Sequence, residues 1–313
     1  MTLKEVARMA NVSVSTASKA LNDSFDVSPE TRELVMKVAR EIGYFREKKK
    51  VTSLNRRAER LTVAVITPEV ISPYYSAMTE SLMAVCADCG CRIVIHSVGF
   101  DKDEAFRVAK ECADDQKIDA IICFCSVREG LEAGSVPVVI TSEKPVPGYS
   151  NMYSDLKTAI SEIIREYAGK HLAFAGEPLT VSKAELFLSC CKNGNSVIGE
   201  GRYELSGKES ARKLIASGEL PDAVICAYDE VAYGLISELK RSDVTVPDDV
   251  EVIGINDIRT SEWFFGGISS IGFMYEDIFR QMISDIIRDI ADRRITKREY
   301  VIPCRLVKRK TTK

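Results

Sequence analysis

The sequence is poor in the residues and motifs on which enzymes depend. Of its 313 residues only two are histidines, His96 and His171, and both stand in apolar segments without a catalytic or metal-binding motif around them. There is no phosphate-loop Gly-Lys-Ser/Thr motif, and Gly199-Glu200-Gly201 has no third glycine at the nucleotide-binding spacing. These absences predict a chain that is not an enzyme and holds no cofactor.

Long hydrophobic runs are missing as well. No stretch approaches the ~20 apolar residues that are needed to cross a bilayer, and no apolar run of signal-peptide length follows the amino terminus. Ten cysteines are present, yet most lie inside apolar runs, as Cys123 and Cys226 do, where a thiol packs as a small hydrophobe. We therefore expect a cytoplasmic protein with reduced cysteines and no membrane partner.

The spacing of Cys86, Cys89 and Cys91 is the nearest approach to a metal-binding motif. Cys86 and Cys89 are one helical turn apart, but a closed zinc site needs four ligands and the chain is short of histidine. Packing in a core or an interface is the expected role of these thiols, and no metal is predicted.

Charge is unevenly distributed along the chain, although the total is only −3. Residues 1–60 contain 13 Lys and Arg against 8 Asp and Glu, while the other 253 residues contain 30 against 38. A basic segment joined to an acidic body would direct nucleic acid to the amino-terminal segment and repel it elsewhere. Because a charge run is more often simply a solvated face, this pattern needs support from local structure.

Three short helices with their own start signals are predicted in residues 1–44. A capping box at 2–5 begins the first, and Asn11 supplies the left-handed turn that ends it. Ser13 caps the second, over 14–21, and a Ser-Pro-Glu start begins the third, over 28–43. The short turn between the first two helices is typical of a helix-turn-helix, whose second helix enters the major groove of DNA.

From residue 61 onward, β-branched apolar runs alternate with amphipathic stretches, and a break at 149–155 suggests two lobes. Continuous apolar strands between helices indicate parallel sheets that are covered on both faces. Strands are predicted at 62–67, 92–97, 119–124, 136–141, 171–176, 195–203, 222–228 and 250–256, and helices near 73–89, 102–116, 155–168, 181–192, 207–217, 229–241 and 275–292.

Short motifs in a fixed order run through the whole chain. They are TLKEVA at 2–7, VSVSTASKALN at 12–22, VSPETR at 27–32, IGY at 42–44, GKHLAFAG at 169–176, YDEVAYG at 228–234, VIGIND at 252–257 and RLVKRKTT at 305–312. Each is weak alone. In this order they resemble the motifs of the LacI/GalR family of bacterial transcriptional regulators.

The resemblance implies an α/β two-lobed periplasmic-binding-protein-like core, with parallel sheets and helices on both faces, behind a small all-α N-terminal helix-turn-helix domain. The chain would cross between the lobes three times, with a ligand pocket in the cleft. The expected parts are a DNA-binding headpiece at 1–44, a basic hinge or linker at 45–60, and an effector-binding and dimerisation core at 61–313, whose N-lobe is about 61–153 plus 275–297 and whose C-lobe is about 154–274 plus 298–313.

The start of the second helix is expected to meet base edges. Val14, Ser15 and Lys19 share one face there and offer a methyl contact to thymine, a hydroxyl for several bases and a point charge for guanine. Short hydroxyl and amide groups suit phosphates, which fix register without reading sequence, although each such group could equally be a helix cap or a solvated side chain. The residues expected at phosphates are Ser13, Thr16, Ser18, Asn22 and Thr31.

The linker departs from the family's pattern. Related chains continue with proline and asparagine where this one has Arg46 and Glu47, and Leu54 is the only plausible minor-groove wedge, displaced by about one residue. Seven basic against two acidic residues in 45–60 make the linker an electrostatic tether, so DNA affinity should fall steeply with salt. We expect weaker DNA bending than in typical relatives.

Candidate ligand contacts come from predicted strand ends and from family positions. Asp229 stands where the family has an aspartate that accepts hydrogen bonds from ligand hydroxyls, but it could equally cap the following helix. Sugar- and purine-binding relatives usually have an arginine about three residues before a glycine in the helix at 181–192, where this chain has Leu186 and Ser189, and a polar residue where it has Phe273. A sugar would therefore leave hydroxyls unpaired at a cost of about 1 to 3 kcal/mol each. The full set of candidates is Tyr74, Tyr75, Ser126, Thr141, Asp229 and Phe273.

Together these features predict a sequence-specific DNA-binding transcriptional regulator. One headpiece covers only a half-site, so a homodimeric repressor on a pseudo-palindromic operator of double-stranded DNA is expected. A small-molecule effector is expected in the cleft, where the missing polar groups argue against a sugar and leave a less polar ligand or a protein partner open. Two alternatives stay open: an α/β ligand-binding or enzyme-like core without DNA function, and a regulator that has lost its effector.

Overall fold

A computed structural model of the chain describes residues 3–21, 27–41, 61–142 and 145–313. The chain divides into two compact units, Met1–Glu59 and Arg60–Lys313. Within the described ranges, no helix is both long enough and apolar enough to span a membrane.

The residues of the first unit that the structure describes, 3–21 and 27–41, form three helices around a small apolar core: α1 (Leu3–Met9), α2 (Val14–Leu21) and α3 (Pro29–Glu41). The predicted bounds of α2 are confirmed, and α1 ends before Asn11 as predicted. The capping residue Thr2 and the predicted end of α3 at 43 lie outside the described residues. The core is built from small side chains, which let the helices approach closely. Its members are Val6, Ala7, Ala10, Ala17, Ala20, Val27, Val35, Val38 and Ala39.

Asn11 makes the turn between α1 and α2, as the sequence predicted. Its φ of 52° is left-handed, a conformation that asparagine tolerates better than most residues. The Asn11 N–H donates to the Arg8 carbonyl at 3.3 Å, and the Val12 N–H donates to the Ala7 carbonyl at 3.0 Å. These bonds satisfy carbonyls at the end of α1 and redirect the chain into α2.

Two serines cap the second and third helices. The Ser13 Oγ accepts from the Thr16 N–H at 2.9 Å, and the Ser28 Oγ accepts from the Thr31 N–H at 3.2 Å. Each bond satisfies one of the amides that a helix start leaves without an intrahelical partner. Both predicted caps are confirmed.

The second unit alternates strands with helices. Its strands are β1 (Thr62–Thr67), β2 (Arg92–Ser97), β3 (Ala120–Cys123), β4 (Val138–Thr141), β5 (Ser150–Ser154), β6 (Leu172–Gly176), β7 (Asn195–Ile198), β8 (Ala223–Cys226), β9 (Glu251–Asn256), β10 (Ser269–Phe273), β11 (Glu299–Ile302) and β12 (Cys304–Val307). Its α-helices are α4 (Pro73–Cys89), α5 (Lys102–Asp114), α6 (Leu156–Glu166), α7 (Val181–Cys190), α8 (Glu204–Ala216), α9 (Asp229–Arg241) and α10 (Glu276–Asp292).

The strands form two six-stranded sheets, which define two lobes. The sheet of the first lobe has the order β11-β5-β4-β3-β1-β2, and its pairs are parallel. The sheet of the second lobe has the order β12-β10-β9-β8-β6-β7, with β12 antiparallel to β10 and the other pairs parallel. The predicted two-lobed α/β class is confirmed, and the antiparallel edge strand is a difference from it.

Alternate residues of one strand enter different cores, which explains the continuous apolar runs in the sequence. On β6, Ala173 and Ala175 join one buried cluster, whereas Leu172 and Phe174 join another. Successive side chains of a strand point to opposite faces of the sheet, so both faces of this sheet are covered. This arrangement leaves the strand ends as the places where polar groups can gather.

The chain passes between the lobes at 154–156, 273–276 and 302–304. β11 pairs with β5 in the first sheet, although the sequence assigned residues from 298 onward to the C-lobe. The last crossing therefore comes later than expected. The cause is β5, whose Ser-Asn-Met-Tyr-Ser sequence is too polar to be recognised as a strand, so that its edge partner β11 was missed too.

The strand predicted at 195–203 is wrong at its carboxyl end. β7 ends at Ile198, because Gly199 lies against α8: a Cβ there would come within 2.5 Å of the Ser206 Oγ. The chain turns after Gly199, and α8 begins at Glu204 instead of 207. Residues 202 and 203 consequently lie in a turn at the strand end.

Candidate nucleic-acid interface and ligand cleft

Helix α2 has one buried face and one exposed face. Ala17 and Ala20 are 0% and 2% exposed in the core of the first unit, whereas Val14 is 43% exposed and Lys19 is also exposed. Ser15 and Ser18 are residues of the same helix. Two of the predicted base contacts, Val14 and Lys19, thus belong to the part of α2 that the core does not use.

The described phosphate candidates are close to the helix starts. The Ser13 and Thr16 hydroxyl oxygens lie 2.8 Å apart at the start of α2, and the Ser28 hydroxyl donates to the Thr31 Oγ1 at 3.0 Å at the start of α3. A helix start carries unpaired amides and a positive partial charge, both of which favour phosphate. Asn22, Leu54 and the whole linker lie outside the described residues.

In the second unit, aromatic rings from the two lobes meet. Tyr74 and Tyr75 begin α4 after the Ser72 cap, and the Tyr74 ring centroid is 5.7 Å from that of Phe273 on β10. The Tyr75 ring lies 6.2 Å from that of Phe100, and burial raises the pKa of Tyr75 to about 12. The structure therefore brings three predicted ligand residues together, with Tyr74 and Phe273 packed against each other across the cleft.

Two further candidates stand at neighbouring strand ends of the first lobe. Thr141 is the last residue of β4, and Ser126 follows β3, its neighbour in the sheet. Both residues are half-buried. The Thr141 hydroxyl is buried and has no hydrogen-bond partner among the described residues, so a polar group could still be satisfied there.

Asp229 needs a correction, because it makes neither of the contacts that the sequence suggested. It is fully buried as the first residue of α9, and its carboxylate accepts from the Ile258 N–H at 2.8 Å and from the Ser270 hydroxyl. No side-chain bond caps the helix. Burial raises its pKa to about 7, against the opposing effect of these hydrogen bonds. Asp229 therefore ties α9 to the chain after β9 and to β10, and it has no exposed oxygen for a ligand.

A polar cluster that the sequence reading missed spans the two lobes. The Tyr203 hydroxyl donates to Glu69 Oε1 of the first lobe at 2.6 Å, and its backbone N–H donates to Glu177 Oε2 at 2.8 Å. Arg202 Nε donates to Glu177 Oε1 at 3.3 Å. Glu177 directly follows β6 and Glu69 closely follows β1, so the rule that polar groups gather at strand ends could have found both.

A second missed group borders the same cluster in the second lobe. Lys183 Nζ donates to the Ala227 carbonyl at 3.1 Å and lies 4.4 Å from the centre of the Tyr228 ring. The Tyr228 ring is 6.1 Å from that of Tyr203, and burial raises its pKa. Cationic groups beside aromatic rings are stabilised by the ring face, so this edge combines charge with flat apolar surface.

A unit whose described residues form three helices, one of them capped and exposed on one side, precedes a two-lobed α/β core. This combination defines a class: DNA-binding regulators with a periplasmic-binding-protein-like core. Two family profiles match parts of the chain. Residues 2–47 match the bacterial regulatory proteins of the lacI family, and residues 188–312 match the periplasmic binding protein-like domain.

Curated relatives match over the full length. Catabolite control protein A of Staphylococcus epidermidis is 26% identical over 333 residues, and that of Staphylococcus xylosus is 25% identical over 342; each match covers 100% of this chain and 99% of the relative. Solved structures share the fold. The lac repressor dimer bound to operator and the anti-inducer ONPF has a TM-score of 0.69 at 20% identity, covering 100% of this chain and 99% of that one. The regulator CelR in complex with cellobiose has a TM-score of 0.66 at 22% identity, and the match covers 99% of each chain.

The chain belongs to the lacI family of bacterial regulatory proteins, as its motifs indicated. It is a DNA-binding transcriptional regulator with a core of the effector-binding type.

Proposed function

We propose that this regulator is a repressor that binds a pseudo-palindromic operator as a homodimer. A single three-helix headpiece covers one half-site and binds too weakly for genomic selectivity, so a symmetric pair is required. The fold shared with a lac repressor dimer on its operator supports this arrangement. The proposed DNA contacts are Val14, Ser15 and Lys19 at bases, Ser13, Thr16, Ser18, Asn22 and Thr31 at phosphates, and Leu54 in the minor groove.

The observation that carries this proposal is the division of α2 into two faces. Its alanines complete the core, which fixes the orientation of the helix, and the exposed Val14 and Lys19 are then presented to solvent at opposite ends of one short rod. A valine and a lysine on the exposed side of one helix fit a groove that offers a thymine methyl and guanine acceptors.

We further propose that a small molecule bound between the lobes modulates DNA binding. Tyr75, Ser126 and Thr141 would contact it, with Tyr74 and Phe273 forming an apolar wall. Because those rings already pack on each other and Thr141 offers a single unsatisfied hydroxyl, a ligand less polar than a sugar fits best. In this respect the chain would differ from a relative solved with cellobiose.

The parts of the chain would divide this work as the sequence suggested. We assign DNA binding to residues 1–44, tethering to 45–60, and ligand binding with dimerisation to 61–313. The basic excess of residues 1–60 over an acidic body supports the assignment. A cytoplasmic location and the lack of a catalytic role follow from the regulator function.

Genomic footprinting with the purified full-length protein over a range of salt concentrations tests the proposal. A palindromic site should be protected, with affinity that falls steeply as salt rises. Lys19→Ala should weaken binding to that site by a factor of about 5 to 100, the value of one good base contact. Lys37→Ala removes an exposed lysine of α3 as the matched control. If no palindrome were preferred, or if both variants behaved alike, the proposal would fail.

A further inference from the structure

The cleft contains an internal bridge whose anchor is Glu177. This carboxylate is 0% exposed and accepts from Arg202 Nε and from the Tyr203 N–H. Tyr203 has φ 53° and ψ −122°, a conformation that a side-chain-bearing residue keeps only when its surroundings hold it. Glu177 thus fixes the turn after β7 so that both side chains project from the second lobe.

The Tyr203 hydroxyl links this turn to the first lobe. It donates to Glu69 Oε1 at 2.6 Å and accepts from Arg202 Nη2 at 2.9 Å. The Glu69 side chain is 18% exposed, so the bond lies largely out of water, where a hydrogen bond to a carboxylate is stronger than on an open surface. A continuous chain of polar contacts therefore runs from a buried carboxylate of one lobe to a largely buried carboxylate of the other.

The Arg202 guanidinium adds a second connection of a different kind. It lies 5.1 Å from the ring centre of Phe100 in the first lobe and 4.5 Å from that of Tyr203 in the second. A planar cation between two ring faces gains from both, and it is also 4.0 Å from Glu69. The same two residues of the second lobe therefore hold an aromatic ring and a carboxylate of the first.

We propose that Arg202 and Tyr203 form a latch with Glu69 and Phe100 that holds the lobes closed without a ligand. In a two-lobed core a ligand favours closure by contacting both lobes, and here the chain's own side chains make such contacts. The inference deepens the proposed function, on which its regulatory part rests: the closed core is the ground state, and an effector has to displace the latch to change DNA binding.

Hydrogen–deuterium exchange of the full-length, ligand-free protein tests the latch. Tyr203→Phe and Glu69→Ala should each speed amide exchange in cleft segments of both lobes, at 67–76, 98–102 and 199–206. The expected factor is about 2 to 10, the range that one such hydrogen bond is worth. The double variant should add little to either single one, because both changes remove the same bond.

Tyr153→Phe is the matched control. Its hydroxyl donates to Glu299 Oε2 at 3.0 Å within the first lobe, so its loss should leave the 199–206 segment unchanged. The latch is wrong if Tyr203→Phe alters only segments of its own lobe, or if the control produces the same two-lobe effect.

Operator affinity of the same proteins separates this inference from the proposed function. If the latch sets the DNA-binding state, Tyr203→Phe should change operator affinity by a similar factor, whereas Tyr153→Phe should not. Coupled exchange with unchanged affinity would refute the regulatory role of the latch. A wild-type protein that binds no operator would refute the proposed function, while the exchange data would still decide whether the latch exists.

Discussion

Polar and apolar side chains proposed to be functional are exposed on α2, whereas polar side chains in the cleft of the core are bonded to one another. On α2, Val14 and Lys19 lie at the surface, above alanines that pack in a small core. In the cleft, Glu177, Arg202 and Tyr203 are already bonded to one another, and the bonding continues to the first lobe. A helix face that binds a rigid duplex can keep its side chains exposed to solvent. In a cleft between movable lobes, the polar side chains can instead bond to one another until a ligand replaces those bonds.

The two regions should differ in how substitutions impair them. The described core of the headpiece is built from valines and alanines alone, so damage to one of them should also disturb the proposed DNA-binding face of α2. The core has large apolar clusters on both sheets, and its cleft contacts can change without unfolding it.

Val35→Asp acts on the headpiece and should have the largest effect. Val35 is fully buried where α3 meets the other two helices, and a charge there has no partner. We expect operator binding to fall by a factor of about 100 or more through unfolding of the headpiece. Fluorescence anisotropy measures the binding, and differential scanning calorimetry should show the transition of the core unchanged.

Leu34→Asp provides the control for that substitution. Leu34 is the preceding residue of the same helix and is 47% exposed, so its replacement should leave the headpiece folded. Equal loss of binding in both variants would mean that charge near the DNA, and not the headpiece core, is responsible.

Asp229→Asn acts on the core and should have an intermediate effect. The folded-state pKa of Asp229 is raised by burial from 3.8 to about 7, so the folded protein keeps a proton that the unfolded chain loses. The free energy of unfolding should therefore fall as pH rises from about 4 to 7, with a contribution on the order of 1 kcal/mol per pH unit. Urea unfolding across this range should show a flatter profile for the variant.

Asp249→Asn is the opposite case and serves as its control. Hydrogen bonds from the Thr245 side chain and backbone hold the pKa of the exposed Asp249 below its usual value. This carboxylate stabilises the folded state above its unfolded pKa, and that contribution disappears as pH falls. An identical slope change in both variants would contradict the role given to burial.

Leu54→Ala should have the smallest effect. The linker lacks the usual proline and asparagine, and we expect it to act mainly through its charge. The DNA bend angle, measured by fluorescence energy transfer across the operator, should change little, as it should for Val51→Ala. A large bend that disappears only in Leu54→Ala would show that the leucine is a working wedge.

Much of the architecture could be predicted because the signals are local. The caps at Ser13 and Ser28 located the starts of α2 and α3, and the left-handed Asn11 located the end of α1. Apolar runs located most of the buried strands. β5, β10 and β11 were not predicted, because these edge and near-edge strands contain polar residues and lack the apolar run that marks a buried strand.

The candidate ligand residues were predicted with mixed success. Tyr74, Tyr75 and Phe273 were placed together by strand-end reasoning and by family position, and the structure joins them. Asp229 was misassigned because a carboxylate after a strand can face a cleft or turn into the core, and only its neighbours Ser270 and Ile258 decide which. The residues of the latch were invisible as a group, since Glu69 and Tyr203 are separated by 134 positions.

The ordered motifs of the chain gave its resemblance to bacterial regulators. Apart from that resemblance, the order of the amino acids was enough to locate most helices and strands and to distinguish a small basic amino-terminal segment from an acidic α/β body. Those properties depend on capping, periodicity and charge, which act between residues close in the chain. The tertiary structure alone decided that Asp229 is internal and that Arg202 and Tyr203 bridge the lobes. Such contacts join segments that meet only after both sheets have formed, and their energies depend on burial, which no local pattern encodes.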